Sequence, residues 1–442
     1  MMLERRNERE MKLKIRRTSA PPKDLLEERQ VRIGGSLPSN LEVQVRRIIE
    51  TVKERGDSAL IEFTEKFDGV SLEADRLKVT EEDVARAYDL VSEEQISAIE
   101  LAKSRVELFE KNLLERLNFE VKYEGVEVYS RTRPLRSVGC YVPGGEASYP
   151  STVVMTVTPA KVAGVPRVVV CTPPKKRGEV EPITLVASDI CGADEVYMIG
   201  GAQAIAALAY GTGSIRPVEK VVGPGNRFVL AAKLLVSRDI ATDLPAGPSE
   251  VLILADESAD PRLVALDMVS QAEHGVWGYS ILVTVSSRLA DEVQRELEKV
   301  VRSSPRAGTV EEALSRNGLI LVLRNLDECI SFVNEFAPEH LEVMVDEPLE
   351  VAERINAAGL VLIGRYTPAS ASDYCLGVNH VLPTGGFGRV YSGLSVLDFV
   401  KRLNIVKCSR EGLSKVRDAI RALAEAEGLP NHALSVEERF KG

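Results

Sequence analysis

Val138-Gly139-Cys140-Tyr141-Val142-Pro143-Gly144-Gly145 is the stretch that decides the fold. An apolar run enters a glycine-rich turn, and the texture of the chain changes there. After it, short apolar runs alternate with helical patterns: helix 152–163, strand 167–171, helix 183–191, strand 195–199, helix 202–209, strand 218–222 and helix 226–236. Such alternation needs a crossover between strands, and crossovers build a parallel sheet with helices on its faces. Ligands of such sheets are expected at the carboxyl ends of the strands. Three polar loops fall at those ends: 143–145, Gly200-Gly201-Ala202-Gln203, and Gly223-Pro224-Gly225-Asn226. The last opens a helix, so its backbone amides are able to face an anion. It is not the standard dinucleotide fingerprint, because Phe228 stands where the third glycine belongs.

A second series starts at Glu250. It reads as strand 251–255, a helix leading to Gln271 and His274, strand 280–285, helix 290–301, strand 319–323, helix 326–336, strand 341–345, helix 349–358 and strand 360–363. Upstream of both series the pattern is helical. Leu41, Val43, Val45, Ile48, Ile49 and Val52 recur with mostly helical spacing, a second helix covers 59–67, and a long helical stretch over 81–117 is broken at Ser92, a helix cap. Residues 121–133 alternate around Glu124-Gly125, the signature of a hairpin. From Thr367 the chain turns irregular. Its tail holds one amphipathic helix, 413–427, followed by Asn431-His432. A tail of that size buries little core alone and is expected to pack on another domain or subunit.

The totals narrow the classes. At 442 residues, two or three domains are expected. A net charge of −10 disfavours nucleic-acid binding. No apolar run reaches the roughly 18 residues of a membrane span. Residues 1–17 mix Arg and Lys with Glu, lack an apolar core and do not read as a secretory signal. The 6 cysteines are scattered without a C-x-x-C pair, as expected of reduced thiols in a cytoplasmic protein.

Chemistry concentrates around the histidines. There are only 4, His274, His340, His380 and His432, and none lies in the middle of an apolar run. Gln271 and His274 are three apart and share a helical face. With Asp373 and His432 they make a set of two nitrogens and two oxygens suited to Zn²⁺ or a similar divalent ion. The alternative for Gln271 is a loop hydrogen bond, since Q-x-x-H is common in helices. Glu339-His340 joins an acid to a base of different pKa, as two successive proton transfers require. The bland alternative is a helix end where the dipole favours histidine. Ser249, between the two series, is a substrate contact or a turn residue.

These stretches together resemble the histidinol dehydrogenase family. The resemblance runs from about Asn40 to about His432. It is carried by segments 139–145, 200–209, 222–226, 243–256, 270–275, 337–343, 367–384 and 427–432, in the family's order. It implies an α/β fold of two incomplete Rossmann-like parallel-sheet modules with small helical N- and C-terminal segments. The expected division is an extension 1–36, a discontinuous metal and substrate domain 37–138 and 249–390, an NAD-binding module 139–248, and a tail 391–442 that reaches the partner subunit. The implied reaction is oxidation of L-histidinol to L-histidine through bound histidinaldehyde, with NAD used twice and one Zn²⁺ per subunit. The zinc ligands would be Gln271, His274, Asp373 and His432. Glu339 and His340 would be the catalytic pair. Substrate contacts would include Ser249, Gln271, His274, His340, Asp373, Glu427 and His432. Tyr141, Gln203 and Asn226 would touch NAD. A homodimer with shared sites follows from the same resemblance, with no nucleic-acid or membrane partner. Ala369 and Ser372 depart from the family's Glu and Gly beside Asp373. The competing readings are a superfamily dehydrogenase of sulfonated diols and a zinc-dependent hydrolase.

Overall fold

Two parallel sheets with the same internal strand order carry the molecule. In the computed structural model, which describes residues 13–28, 39–144 and 148–441, the first sheet runs in the order Glu195–Met198, Val168–Thr172, Val138–Tyr141, Lys220–Val222, Ala241–Thr242. The second runs Arg16–Thr18, Gly318–Val322, Tyr279–Thr284, Glu250–Ala255, His340–Met344, Leu360–Ile363. With Arg16–Thr18 set aside, each series puts its first strand in the centre, the next two on one side and the last two on the other. The fold class expected from the sequence is therefore the one observed. Strands such as Val168–Thr172 and Glu250–Ala255 are buried throughout, as a sheet covered on both faces demands.

The helices of the first series are apolar nearly all round. Gly201–Tyr210 buries every residue from Ala202 to Ala209, and Pro150–Val162 buries its whole middle. Such helices need a second layer outside them. Ser39–Arg55 supplies it against Gly201–Tyr210, and Glu93–Glu115 against Pro150–Val162. The apolar faces of these outer helices, with Val45, Leu60 and Val106, share one core with the first sheet. The second sheet has its own core on each face. Ser92 is the cap expected of it: its hydroxyl accepts the Gln95 N–H and the Gln95 side chain accepts the Ser92 N–H.

A third, antiparallel sheet joins Phe119–Tyr123, Val126–Pro134 and Val400–Cys408. The expected hairpin turns at Glu124 and Gly125, both at positive φ (46° and 86°), the geometry that matches strand twist. Its third strand, from the tail, was not foreseen. Nor were the edge strand Arg16–Thr18, the helix Ala307–Asn317, the short helix Ala369–Tyr374 in the segment read as irregular, or the helix Pro430–Glu437 that carries His432. The helix expected over 349–358 is only Pro348–Ala352. Residues 1–12 and 29–38 around the expected extension, and Gly145 of the first glycine turn, lie outside the described residues. No helix among the described residues is long and apolar enough to cross a membrane.

Candidate active site

At the carboxyl edge of the first sheet, three expected cofactor residues lie at or just beyond the ends of three strands, Val138–Tyr141, Glu195–Met198 and Lys220–Val222. Tyr141 ends the central strand, and its buried hydroxyl accepts the Gly201 N–H at 3.1 Å. Gln203 lies two residues further on, in the first turn of the helix Gly201–Tyr210. It is buried, and its Oε1 has no hydrogen-bond partner among the described residues. Asn226 caps the helix Arg227–Val236, accepting the N–H groups of Phe228 and Val229 at 2.9 and 3.2 Å. Between these loops Gly223 has φ 116°, and a Cβ there would lie 2.2 Å from the Tyr141 carbonyl oxygen. Only glycine fits. A buried ion pair fixes the turn: Lys233 donates to the Gly223 carbonyl at 2.9 Å, and Asp243, its ion-pair partner, accepts the Gly223 N–H at 2.7 Å.

The second sheet uses its opposite, amino edge. The helix Leu326–Phe336 stops at Ala337, a non-glycine residue at φ 50°, and Pro338 then turns the chain so that Glu339 and His340 open a central strand. Glu339 is tied at both ends. Its Oε2 accepts the Glu250 N–H at 2.7 Å, while the Glu250 carboxylate accepts the N–H groups of Glu339 (3.3 Å) and Gly385 (3.1 Å). His340 lies between two carboxylates, with Nδ1 3.6 Å from Glu339 and Nε2 3.4 Å from Asp373. Those separations are charge contacts rather than good hydrogen bonds. Burial alone would lower the His340 pKa, but Asp373 and Glu339 outweigh it and lift it to about 10. Burial pushes the Glu339 carboxyl upward, with His340 opposing.

The remaining side chains converge on Asp373. Gln271 ends the helix Pro261–Ala272, and the His274 N–H bonds its carbonyl at 3.2 Å, so the turn continues past the helix end. Gln271 is buried, and its Nε2 has no hydrogen-bond partner among the described residues. A Cβ at Gly278 would meet both the Ser249 carbonyl (2.4 Å) and Gln271 Nε2 (3.3 Å), so Ser249 and Gln271 are neighbours. Burial lowers the pKa of His274 and of His380, favouring the neutral imidazole that metal ligation needs. Burial would raise Asp373, but His340 first, then His380 and His274, hold it below the usual carboxylate range. His380 reaches further: Nδ1 is 2.8 Å from the Asp373 carbonyl and Nε2 is 3.4 Å from Thr152 Oγ1. Thr152 sits near the start of the first-series helix Pro150–Val162. The two functional edges therefore meet.

Three of the four histidines thus share one site, as their scarcity suggested. The fourth does not join them within the chain. His432 is exposed on Pro430–Glu437, and Glu427 caps the end of Arg410–Ala426 on the same tail. Among the described residues no group of three His, Cys, Asp or Glu side chains forms a ready metal cage. Gln271, His274 and Asp373 supply an amide, an imidazole and a carboxylate, a fitting partial set that lacks a fourth donor. Sequence reasoning missed Glu250, Asp267 and Glu342. The readable signal was a carboxylate inside an otherwise apolar buried strand: Glu250 before Val251-Leu252-Ile253, and Glu342 between Leu341 and Val343.

With this geometry in place, the comparisons with known proteins are decisive. The histidinol dehydrogenase family model matches residues 35–440. The chain belongs to the histidinol dehydrogenase family. It is 46% identical to the histidinol dehydrogenase of Methanosarcina mazei over 90% of this chain and 91% of that one. It is 48% identical to that of Methanopyrus kandleri, over 89% and 93% of the two chains. A crystal structure of histidinol dehydrogenase from Elizabethkingia anophelis superposes with a TM-score of 0.90 at 36% identity, covering 97% and 98% of the two chains. Histidinol dehydrogenases are NAD-dependent oxidoreductases that carry out the final steps of histidine biosynthesis, and this chain is an enzyme of that kind. The hydrolase and sulfonated-diol readings receive no support.

Proposed function

We propose that the chain oxidises L-histidinol to L-histidine at the junction of the two edges, with Glu339 and His340 as the proton-transfer pair. The observation that supports this most directly is the line from buried Glu339 and His340 to half-buried Asp373, at 3.6 and 3.4 Å, beside Gln271 and His274. NAD would lie against Tyr141, Gln203 and Asn226 in module 139–248, and it takes up hydride when bound. Gln271, His274 and Asp373 would hold one Zn²⁺, which when bound supplies a Lewis-acid grip on the substrate and neutralises Asp373. His340 acts as the base in its neutral form.

In the first oxidation His340 takes the hydroxyl proton as the carbinol carbon loses hydride, leaving the aldehyde. Glu339 then takes a proton from water as the water oxygen adds to the aldehyde carbon, and the protonated His340 returns its proton to the aldehyde oxygen, which forms the hydrate and leaves His340 neutral again. His340 takes the hydrate's hydroxyl proton as the second hydride leaves, and the product is the carboxylic acid. The pair Glu250–Glu339 keeps the Glu339 carboxyl from rotating away between steps. Ser249 would contact the substrate beside Gln271. Glu427 and His432 would come from the tail of a second subunit and complete the site in a homodimer. Support for that lies in the tail itself. Val400–Cys408 is exposed along nearly its whole length, and Leu423, Leu429 and Leu434 face outward on the tail helices. A cytoplasmic setting is consistent with the six thiols, all free.

The test is the yield of NADH per L-histidinol consumed. Alcohol to acid is a four-electron change and each NAD accepts two, so two NADH are expected. One NADH with released aldehyde would remove the water-activating role of Glu339.

A further inference from the structure

We propose that Thr384 is a positioning residue for Glu339: through Gly385 and Glu250 it ties the carboxyl that takes a proton from water to the linker between the two sheets. This rests on Glu339 as the group that activates water. The linker, residues 243–249, runs from the last strand of the first sheet to Glu250–Ala255 of the second. Thr384 grips it twice. Its Oγ1 accepts the Gly247 N–H at 2.7 Å, and its own N–H donates to the Pro245 carbonyl at 3.3 Å. The approach is close, since a Cβ at Gly247 would lie 3.1 Å from that hydroxyl. At its other end the linker is fixed to the Gly223 turn. Asp243 accepts the Gly223 N–H at 2.7 Å, and Lys233 donates to the carbonyls of both Gly223 (2.9 Å) and Leu244 (3.4 Å).

Beyond Thr384 the chain turns back at once. The Phe387 N–H returns to the Thr384 carbonyl at 3.1 Å, and Gly385 and Gly386 between them have φ 63° and 84°. A turn with positive φ at both central positions takes glycine there without strain. This turn directs the Gly385 N–H onto Glu250 Oε1 at 3.1 Å. The other oxygen of that carboxyl accepts the Glu339 N–H at 3.3 Å, and the Glu250 N–H returns to Glu339 Oε2 at 2.7 Å. Contacts therefore run unbroken from the Gly223 turn to the Glu339 carboxyl. Thr384, Glu250 and Glu339 are all buried, so bulk water does not readily replace a bond that is lost. The water-activating carboxyl and the hydride acceptor of the proposed reaction belong to different sheets, and a displacement of about 1 Å costs on the order of 10²-fold in rate. The His380–Thr152 contact holds the Asp373 loop to the first sheet; the Thr384 tie ends on Glu339.

Thr384→Val keeps the volume and removes the acceptor for the Gly247 N–H; Thr384→Ser keeps the acceptor. Single-turnover rates from L-histidinol and from L-histidinaldehyde are measured on the full-length enzyme with zinc present, for both variants, Glu339→Gln and the double variant Thr384→Val/Glu339→Gln. Thr384→Val should slow aldehyde oxidation by roughly 10–100-fold and alcohol oxidation by less than about threefold. Thr384→Ser should restore aldehyde oxidation to within about threefold of wild type. In the Glu339→Gln background the valine should slow aldehyde oxidation no further, because the group it positions is already disabled. Hydrogen exchange at the Gly247 and Gly385 amides should quicken with valine and recover with serine. Equal slowing of both oxidations, no rescue by serine, or losses that multiply in the double variant would each reduce Thr384 to a structural role. Unchanged exchange would show that the hydroxyl does not hold the turn. If the valine variant does not fold, Glu250→Gln decides: it takes away one of the two oxygens that accept the Glu339 and Gly385 N–H groups, the same selective slowing is expected, and its absence would sink the proposal. Glu339→Gln without selective slowing would instead show that the water-activating assignment itself has failed.

Discussion

The two parallel sheets are wound alike and used oppositely. On the proposed assignment the first presents its carboxyl edge to the ligand, where chain leaves strands and helices begin. The second presents its amino edge, where helices have just ended and strands begin. The dipole explains what each edge is good for. Helix starts, such as the one capped by Asn226, offer N–H groups and favour anions. Helix ends, such as those before His274 and Glu339, offer carbonyls and favour cations. A dinucleotide's phosphates suit the first edge, and a metal ion or a protonated imidazole suits the second. One topology thus yields two complementary half-sites, joined through His380 and Thr152.

The sharpest way to break this comparison is to disable one edge and ask whether the other notices. Glu339→Gln should slow aldehyde oxidation by about 10²–10⁴-fold, with little change in alcohol oxidation or in NAD affinity. Single-turnover measurements from each substrate read this out. Equal slowing of both oxidations would refute the assignment of water activation to Glu339. Next in size is complementation between subunits. Neither His432→Ala nor His340→Ala should turn over alone, but mixed chains should recover about a quarter of wild-type activity, since half of random dimers are hybrids with one intact site each. No recovery after demonstrated subunit exchange would rule out a shared site.

A pair of glycines separates the edges on a smaller scale. Gly223 and Gly275 have similar φ, 116° and 113°, but a Cβ meets the Tyr141 carbonyl at Gly223 and nothing within 4 Å at Gly275. Gly223→Ala should destabilise by roughly 3 kcal/mol or more and raise the KM for NAD. Gly275→Ala carries only the conformational strain, about 1–2 kcal/mol, and should leave that KM alone. Denaturant melts and initial rates test both, and equal losses would remove the close approach as a cause. The smallest effect concerns pH. His340 is raised from 6.5 to about 10, so its contribution to stability is full below pH 6.5 and is lost as pH rises through about 10. Chelator-stripped enzyme should therefore melt a few degrees lower at pH 10 than at pH 7, and His340→Asn should flatten the slope. Glu342, at about 8, contributes with the same sign, so the difference between wild type and variant is the quantity to read. An identical slope in the variant would refute the His340 contribution.

The alternation of strands and helices was legible because apolar runs such as Val168–Thr172 are short, β-branched and bounded by turns. So were the Ser92 cap and the Glu124-Gly125 turn, which are local chemistry. What escaped was whatever exists only by pairing. Arg16–Thr18 reads as charged coil until it lies beside Gly318–Val322, and Val400–Cys408 is a strand because the distant hairpin offers it an edge. The histidine cluster was legible from scarcity, but the edge it occupies was not. The rule for parallel sheets points to carboxyl ends, whereas Glu339 and His340 sit where a strand of the second sheet begins. Glu250 and Glu342 were passed over because a strand period sorts residues by side, not by what a buried carboxylate finds there.

The tail gives the site a stoichiometric property. On the proposed assignment, His432 reaches its metal only from another chain, so zinc occupancy and subunit association belong to one linked equilibrium. Linkage is reciprocal: whatever factor zinc adds to dimer affinity, dimerisation adds to zinc affinity. A chelator would then act as a dissociating agent and dilution as a demetallating one, and specific activity would fall as the enzyme is diluted even with substrates saturating.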